Sequence, residues 1–323
     1  MHIALICPEL HGHLNPMTTL GGELKRRGHR VSLVCSPEGK PKADSCGLEL
    51  LPIGVPEHES GRAAAARARL GEMKGFAALR YTGKLLTEIA TLTLRDVPPL
   101  LKSCGVEGVL VDQISPAGAA AADVLGLPFV VVCNAMAMHQ EPGVPPGVTP
   151  WPYRAGVLGR LRNRLGNTLL KVAAGPLNRV VSDYRISNGL PPYRFGQHHG
   201  YGRAQVAQQP AFFDFPRRHL PPHFHYTGPW HAPGRDADTH FPWERLDGRA
   251  LVYASLGTLQ NRMGFLFDAI LEGCSTLDVQ VVLSLGRADA TWGKPVPPNA
   301  VVVPFAGTGP LHSAPFRPSD STT

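Results

Sequence analysis

Short runs of apolar residues alternate with longer segments of helical periodicity over residues 1–135. The predicted strands are Ile3–Cys7, Val31–Cys35, Leu48–Ile53, Gly108–Val111 and Phe129–Cys133. The predicted helices are Asn15–Arg27, Arg62–Met73, Phe76–Cys104 with a break at Pro98-Pro99, and Pro116–Leu125. Strands that are apolar throughout are typical of a parallel sheet buried on both faces. The pattern therefore predicts a doubly wound α/β domain, which binds ligands at the carboxyl ends of its strands.

A second, shorter α/β pattern follows a long region that is rich in proline. Residues 141–153 are proline-rich, and residues 215–248 combine Pro, His and Gly without periodicity, which is typical of a linker. The second pattern comprises strand Ala250–Ser255, a turn at Gly257, helix Met263–Cys274, strand Val279–Leu285 and strand Ala300–Phe305. We predict an N-terminal Rossmann-like domain over 1–214, a linker over 215–248, an incomplete second Rossmann-like domain over 249–305 and an unstructured tail over 306–323.

A basic amphipathic helix is predicted near residues 154–172. One face carries Leu158, Leu161, Leu165, Leu169 and Val172, and the basic residues Arg160, Arg162, Arg164 and Lys171 lie elsewhere around the helix. Two interpretations remain open. The favoured one is a stripe that packs on the core beneath a solvated basic face. The other is a helix that contacts a membrane surface or admits a lipophilic molecule.

Composition narrows the class of protein. The 323 residues are 43% hydrophobic and 18% charged, which suits two globular domains. The net charge of +7 suits an anionic ligand or an acidic membrane surface, and no nucleic-acid-binding motif accompanies it. No apolar run approaches the length of a membrane span, and the short N-terminal run lacks the basic leader of a signal peptide, so we expect a cytoplasmic protein. The six cysteines show no metal-ligand spacing.

The loop after the first predicted strand is the first candidate for chemistry. It contains His11 and His13 beside a helix N-terminus, whose dipole favours the neutral imidazole that a general base needs. Asp112 follows the strand at residues 108–111 and is the carboxylate best placed to orient such an imidazole. Gly12 is the single glycine of this loop, so the dinucleotide fingerprint G-x-G-x-x-G is absent. A capping Asp and an exposed His remain the alternative.

Several motifs spread along the chain resemble those of one enzyme family. They are G-H-L-N-P from Gly12, L-V-D-Q-I-S-P-A-G from Leu110, G-L-P-F-V from Gly126, E-P-G-V-P-P from Glu141, T-P-W-P-Y from Thr149, D-Y-R from Asp183, D-F-P-R-R-H-L-P-P-H-F-H-Y-T-G-P from Asp214, F-P-W-E-R-L-D-G from Phe241 and Y-A-S-L-G-T-L-Q-N from Tyr253. Together they resemble the UDP-sugar-dependent glycosyltransferases of the GT-B fold, on the bacterial branch near the zeaxanthin (carotenoid) and macrolide glucosyltransferases. The similarity extends from residue 1 to about residue 305.

The resemblance implies roles for individual residues. It makes His13 the catalytic base and Asp112 the carboxylate that activates it, in a single inverting displacement that moves a hexose from a UDP-sugar to a hydroxyl of a lipophilic small molecule. The family needs no metal, since helix dipoles and side chains stabilise the leaving diphosphate. The donor-side candidates are Gly12, Ser255, Gly257 and Thr258. The acceptor-side candidates are Met136, His139 and Trp151.

The resemblance stops after Phe305. The family continues there with a His-x-Gly loop and a Glu/Asp-Gln pair that grip the donor, whereas this chain continues G-T-G-P-L-H-S-A-P-F-R-P from Gly307. His312 lacks the glycine-rich helix start that would replace that loop. We therefore expect a truncated or frameshifted donor domain and weak or absent activity. The alternative function is a non-catalytic fragment that binds lipophilic molecules, and a sugar-nucleotide epimerase on the same fold is disfavoured by the middle motifs.

Overall fold

The computed structural model describes residues 1–73, 75–194, 202–230, 241–258, 263–287 and 290–306. The chain divides into two compact units, Met1–His231 and Ala232–Thr323. No helix among the described residues is long and apolar enough to cross a membrane.

The first unit is built on a parallel sheet of seven strands. They are β1 His2–Ile6, β2 Arg30–Cys35, β3 Glu49–Pro52, β4 Gly108–Asp112, β5 Phe129–Cys133, β6 Ala204–Ala207 and β7 Phe224–Tyr226. Their order across the sheet is β3-β2-β1-β4-β5-β6-β7, and every neighbouring pair is parallel. This is the doubly wound order in which the direction of strand addition reverses between β1 and β4. β7 lies in the segment predicted as a linker. The sequence pattern did not predict it, because three residues are too few to show a strand period.

Helices cover both faces of this sheet. They are α1 His11–Arg26, α2 Lys40–Ser45, α3 Val55–Glu59, α4 Arg62–Glu72, α5 Gly75–Ser103, α6 Pro116–Val124, α7 Val157–Ala173 and α8 Gly175–Ser187. Ala4 and Ile6 of β1 pack in one core cluster with α5 and α6, whereas Ile3 and Leu5 pack in another with α1 and α2. Successive residues of one strand thus face opposite layers, as a doubly wound fold requires. The predicted α/β class is confirmed.

Two predictions for the helices of this unit were wrong. α5 continues through Pro98 and Pro99, where we expected a break. Each proline removes one helical hydrogen bond, but Val97 and Leu101 on either side are fully buried in the core, and their packing holds the helix together. The leucine face of α7 is exposed rather than packed on the core, because Gly159, Asn163 and Gly166 occupy its inner face.

The second unit contains a smaller parallel sheet. Its described elements are β8 Ala250–Ser255, α9 Gly264–Cys274, β9 Val279–Ser284 and β10 Ala300–Val303. The strand order is β10-β9-β8. α9 buries Phe267 and Leu271 against Val281 and Leu283 of β9. The alternation of strand and helix predicted for this region is present.

Candidate active site

The candidate site lies where β1 and β4 run side by side. β1 leads into α1 on one layer, and β4 leads into α6 on the other, so a crevice opens between the two connections. α1 begins at His11, four residues earlier than the sequence indicated. His13 therefore lies in the first turn of the helix, and Asp112 is the last residue of β4.

His13 and Asp112 form a direct hydrogen bond across this crevice. The distance from Nδ1 of His13 to Oδ2 of Asp112 is 2.7 Å. The Asp112 side chain is fully buried, while the His13 side chain keeps 16% of its surface exposed. A carboxylate accepts hydrogen bonds, so when the ring is neutral this contact places the proton on Nδ1 and leaves Nε2 as an acceptor. The structure thus joins the two residues that sequence reasoning paired.

Further donors fix the Asp112 carboxylate. The backbone N–H of Ile114 donates to Oδ1 at 2.9 Å, and the side-chain amide of Asn134 donates to Oδ2 at 2.6 Å. Gln208 in turn donates to the backbone carbonyl of Asn134 at 2.6 Å. With His13 included, three groups hold the buried carboxylate in one orientation. A carboxylate must itself be fixed in this way if it is to orient an imidazole.

Asn134 is a site residue that sequence reasoning missed. It follows β5 directly, and β5 is the neighbour of β4 in the sheet. The rule that polar residues at the carboxyl ends of adjacent strands converge would have found it, as it found Asp112. The side chain is buried, so its hydrogen bond to Asp112 forms away from water.

The three acceptor-side candidates have different surroundings. Met136 is exposed, and its backbone carbonyl accepts a hydrogen bond from Gln113 at 3.2 Å. The ring of His139 meets Phe224 edge to face, with 5.2 Å between the ring centroids. The guanidinium of Arg162 lies 4.9 Å from the ring centroid of Trp151. Their roles toward an acceptor stay predictions.

A buried ion pair holds the loop that carries two of these candidates. Arg217 and Asp214 are both almost fully buried and lie 2.6 Å apart. Arg217 also donates to the backbone carbonyls of Ala137 and His139, at 2.6 and 2.7 Å. Tyr226 donates its hydroxyl to Asp214 at 2.7 Å, and burial together with this carboxylate raises the pKa of Tyr226. The segment predicted as a linker therefore positions the loop that contains Met136 and His139.

The donor-side candidates divide between the two units. Gly12 is exposed in the first turn of α1, and a side chain at this position would meet no neighbouring atom. In the second unit, the N–H of Gly257 donates to the hydroxyl of Ser255 at 3.1 Å, directly after β8. Gly257 has φ +73°, a conformation that favours glycine. Thr258 follows and is half-buried. Donor contacts of these residues stay predictions, and His312 lies outside the described residues.

Among the described residues, no group of three or more His, Cys, Asp or Glu side chains could hold a metal ion. The arrangement that the structure does offer is an oriented imidazole beside a crevice. Such a group can remove a proton from a hydroxyl that approaches Nε2.

Comparison with known proteins agrees with the motifs. No family model matches the chain. The zeaxanthin glucosyltransferase of Pantoea ananas is 32% identical over 290 residues, which cover 88% of this chain and 65% of that enzyme. The zeaxanthin glucosyltransferase of Pseudescherichia vulneris is 26% identical over 286 residues, 88% of this chain and 66% of that enzyme. The chain thus spans just under two thirds of the length of these relatives.

Solved structures show the same fold at low identity. A glycosyltransferase of kitacinnamycin has a TM-score of 0.64 and 21% identity, covering 94% of this chain and 71% of that one. The spinosyn rhamnosyltransferase SpnG, solved with thymidine diphosphate, has a TM-score of 0.58 and 17% identity, covering 93% and 70%. The fold is therefore that of the GT-B glycosyltransferases. In sequence, the chain is similar to the zeaxanthin glucosyltransferases.

Proposed function

We propose that this protein transfers a hexose from a UDP-sugar to a hydroxyl of a lipophilic small molecule, of carotenoid or macrolide type. The observation that carries the proposal is the 2.7 Å hydrogen bond between His13 and Asp112 at the carboxyl ends of β1 and β4. Similarity to two zeaxanthin glucosyltransferases supports the class of acceptor. We propose no metal ion for the reaction.

In the proposed mechanism, His13 is the general base. The acceptor hydroxyl donates to Nε2 of His13, which takes its proton as the hydroxyl oxygen attacks the anomeric carbon. The bond between that carbon and the diphosphate oxygen breaks in the same step, so UDP leaves with the electron pair and the configuration inverts. Asp112 accepts from Nδ1 throughout and stabilises the imidazolium that forms.

The proposed donor contacts are Gly12 in the first unit and Ser255, Gly257 and Thr258 in the second. A Cβ atom at Gly12 would meet no atom within 4 Å, so the first turn of α1 is open at this position, and the N-terminus of a helix favours an anionic group. In the turn after β8, the hydroxyls of Ser255 and Thr258 are the proposed contacts, and the N–H of Gly257 donates to the Ser255 hydroxyl. The complex of SpnG with thymidine diphosphate supports a nucleotide ligand for this fold.

The residues after Phe305 favour a second candidate. They lack the His-x-Gly loop and the Glu/Asp-Gln pair that the resemblance implies for donor binding. We propose, as this second candidate, that the chain binds the lipophilic acceptor without transferring a sugar to it.

Turnover by matched histidine variants tests the catalytic proposal. The purified chain is incubated with UDP-glucose and zeaxanthin, and the glucoside is measured by mass spectrometry. We expect His13→Ala to lower turnover by about 10²–10⁴-fold, because the general base is lost. His11→Ala, in the same helical turn but exposed, is the control and should keep wild-type activity. Wild-type turnover in His13→Ala would refute the assignment of the base.

Binding measurements separate the two candidate functions if turnover is absent. Titration calorimetry with UDP should give micromolar affinity, roughly −8 kcal/mol, for a complete donor site. Quenching of tryptophan fluorescence by zeaxanthin reports acceptor binding. Acceptor binding without UDP binding supports the non-catalytic candidate, and failure to bind either ligand refutes both.

A further inference from the structure

The outward face of α7 is an apolar surface without cover in the described part of the chain. Six side chains form it, and each exposes between 61% and 83% of its surface: Val157, Leu158, Leu161, Leu165, Leu169 and Val172. At 3.6 residues per turn they fall within an arc of roughly 120°. Single exposed leucines are ordinary on a protein surface, but a continuous stripe along a whole helix marks an interaction site.

The opposite face of α7 fixes the helix to the protein. Gly166 lies so close to the loop before the helix that a Cβ atom there would come within 2.7 Å of the Trp151 ring and 2.9 Å of Pro146. Asn163 is fully buried and donates to the backbone carbonyl of Pro142 at 3.1 Å. Small and polar residues thus pack inward while the leucines point outward, the reverse of a helix that covers a core.

Basic residues flank the apolar face. Arg160, Arg164 and Lys171 are exposed along one side of the stripe. On the other side Arg162 donates to the backbone carbonyl of Pro152 at 2.8 Å. The chain has no Asp or Glu between residues 142 and 182, so this surface is cationic as well as apolar.

The charge pattern distinguishes between possible occupants of the face. In a symmetric dimer, the same surface meets itself, so a second copy would bring Arg160, Arg164 and Lys171 against their own counterparts without an acid on α7 to pair them. A bilayer of anionic phospholipids provides hydrocarbon for the stripe and negative headgroups for its flank.

We propose that α7 lies in the plane of an anionic phospholipid bilayer, with its leucine face in the acyl boundary and its basic flank at the headgroups. This inference rests on the exposure and charge of α7 and does not depend on the proposed glycosyl transfer. It replaces the core-packing interpretation of the stripe with a membrane contact.

Flotation with lipid vesicles tests the proposal. The 323-residue chain is mixed with vesicles of phosphatidylcholine alone or of phosphatidylcholine and phosphatidylglycerol in equal parts. We expect the wild type to bind the anionic vesicles. The double variant Leu161→Asp, Leu165→Asp should lose at least about tenfold in affinity, since it places two charges on the face that enters the bilayer. Leu277→Asp, at a leucine of the second unit that is 52% exposed, is the control and should bind like the wild type.

A second set of variants tests the basic flank. Replacing Arg160, Arg164 and Lys171 together by Gln should weaken binding to anionic vesicles by about fivefold for each charge removed, and added salt should weaken the wild type similarly. The control replaces Lys40 on α2 and Lys84 and Lys102 on α5 by Gln, so its net charge equals that of the first triple variant. We expect a much smaller loss for this control.

Three results would overturn the proposal: no binding of the wild type to anionic vesicles, undiminished binding by the double leucine variant, or equal losses for the two charge-removal variants. Sedimentation velocity in the absence of lipid provides a direct test of the rival occupant. A wild-type dimer that Leu161→Asp dissociates, together with no vesicle binding, would assign the face to a second copy. None of these measurements uses UDP-sugar. Their outcome therefore tests the membrane contact independently of the proposed glycosyl transfer.

Discussion

The first strands of the two units have similar apolar sequences but different surroundings. β1 pairs with β2 on one side and β4 on the other, and its five residues are buried. β8 pairs with β9 over six residues, has exposed ends and is half-buried between them. Within the described residues, β8 pairs on that side alone. An apolar run therefore predicts a strand, whereas the neighbours that the topology supplies determine how deeply the strand is buried.

This difference extends to the candidate site residues that follow each strand. His13 lies in the helix after β1 and Asp112 ends β4, and each of these strands has two neighbours. Asn134 and Ile114 add donors that fix the carboxylate. Ser255 ends a half-buried strand, and the N–H of Gly257 donates to its hydroxyl at 3.1 Å. The described hydrogen bonds hold the His13–Asp112 pair in one geometry, as the proposed proton transfer requires.

The largest expected effect comes from removing the cation of an ion pair in each unit. Arg217→Leu leaves Asp214 buried without its partner and should destabilise the first unit by about 3–5 kcal/mol. Arg249→Leu breaks the exposed pair with Asp247 in the second unit and should leave its stability unchanged. Urea unfolding followed by hydrogen-exchange mass spectrometry reports each unit through its own peptides.

The double variant Arg217→Leu, Asp214→Leu is the control for that comparison. It removes the unpaired charge and should recover part of the lost stability. Equal sensitivity of the two units to their arginine variants would contradict the difference in burial between the two pairs.

A smaller difference is expected for leucines in the two first strands. Leu5 is fully buried in β1, so Leu5→Ala should destabilise the first unit by about 2–5 kcal/mol through lost contacts and a cavity. Leu251 is half-buried in β8, and Leu251→Ala should cost the second unit about 1 kcal/mol. The same exchange measurement, peptide by peptide, checks both. If both substitutions cost the same, the partial burial of β8 does not describe the protein in solution.

Local sequence pattern predicted most strands because their burial left a continuous apolar signal. Phe129–Cys133 and Ala250–Ser255 have the predicted bounds, and the start of β1 shifts by one residue. The pattern failed where distant packing decides the outcome. The core around Val97 and Leu101 carries α5 past two prolines, and the short β7 forms because β6 lies beside it.

Some residues of the candidate site could also be predicted from the sequence, and others could not. The His13–Asp112 pair was predictable, since both residues follow apolar strands and the family motifs include them. Asn134 was missed although it directly follows a predicted strand, where the strand-end rule applies. Arg217 was missed because its partner lies 80 residues away and no local pattern points to it. The sequence also could not predict whether the apolar stripe of α7 faces the core or the solvent, because periodicity defines a face of a helix without fixing its orientation.

The smallest expected effect is a difference in thiol reactivity between the two units. It is measured on the wild-type chain, so no substitution alters the stability of either unit. Burial raises the pKa of Cys35 and of Cys133 to about 12, and Asp112 adds to the shift at Cys133. At pH 8 these thiols are almost entirely protonated, so iodoacetamide should modify them only when the sheet opens. Cys274, partly exposed at the end of α9, should react without such opening.

Peptide mapping after timed modification gives the rate at each cysteine. Raising the pH from 8 to 9 should leave Cys35 and Cys133 protected, because pH 9 is still far below their raised pKa values. Cys133 ends β5, beside the residue that orients Asp112. If Cys133 reacted as fast as Cys274, the sheet beneath the His13–Asp112 pair would open as readily as the surface of the second unit, and the fixed geometry required of a general base would be lost.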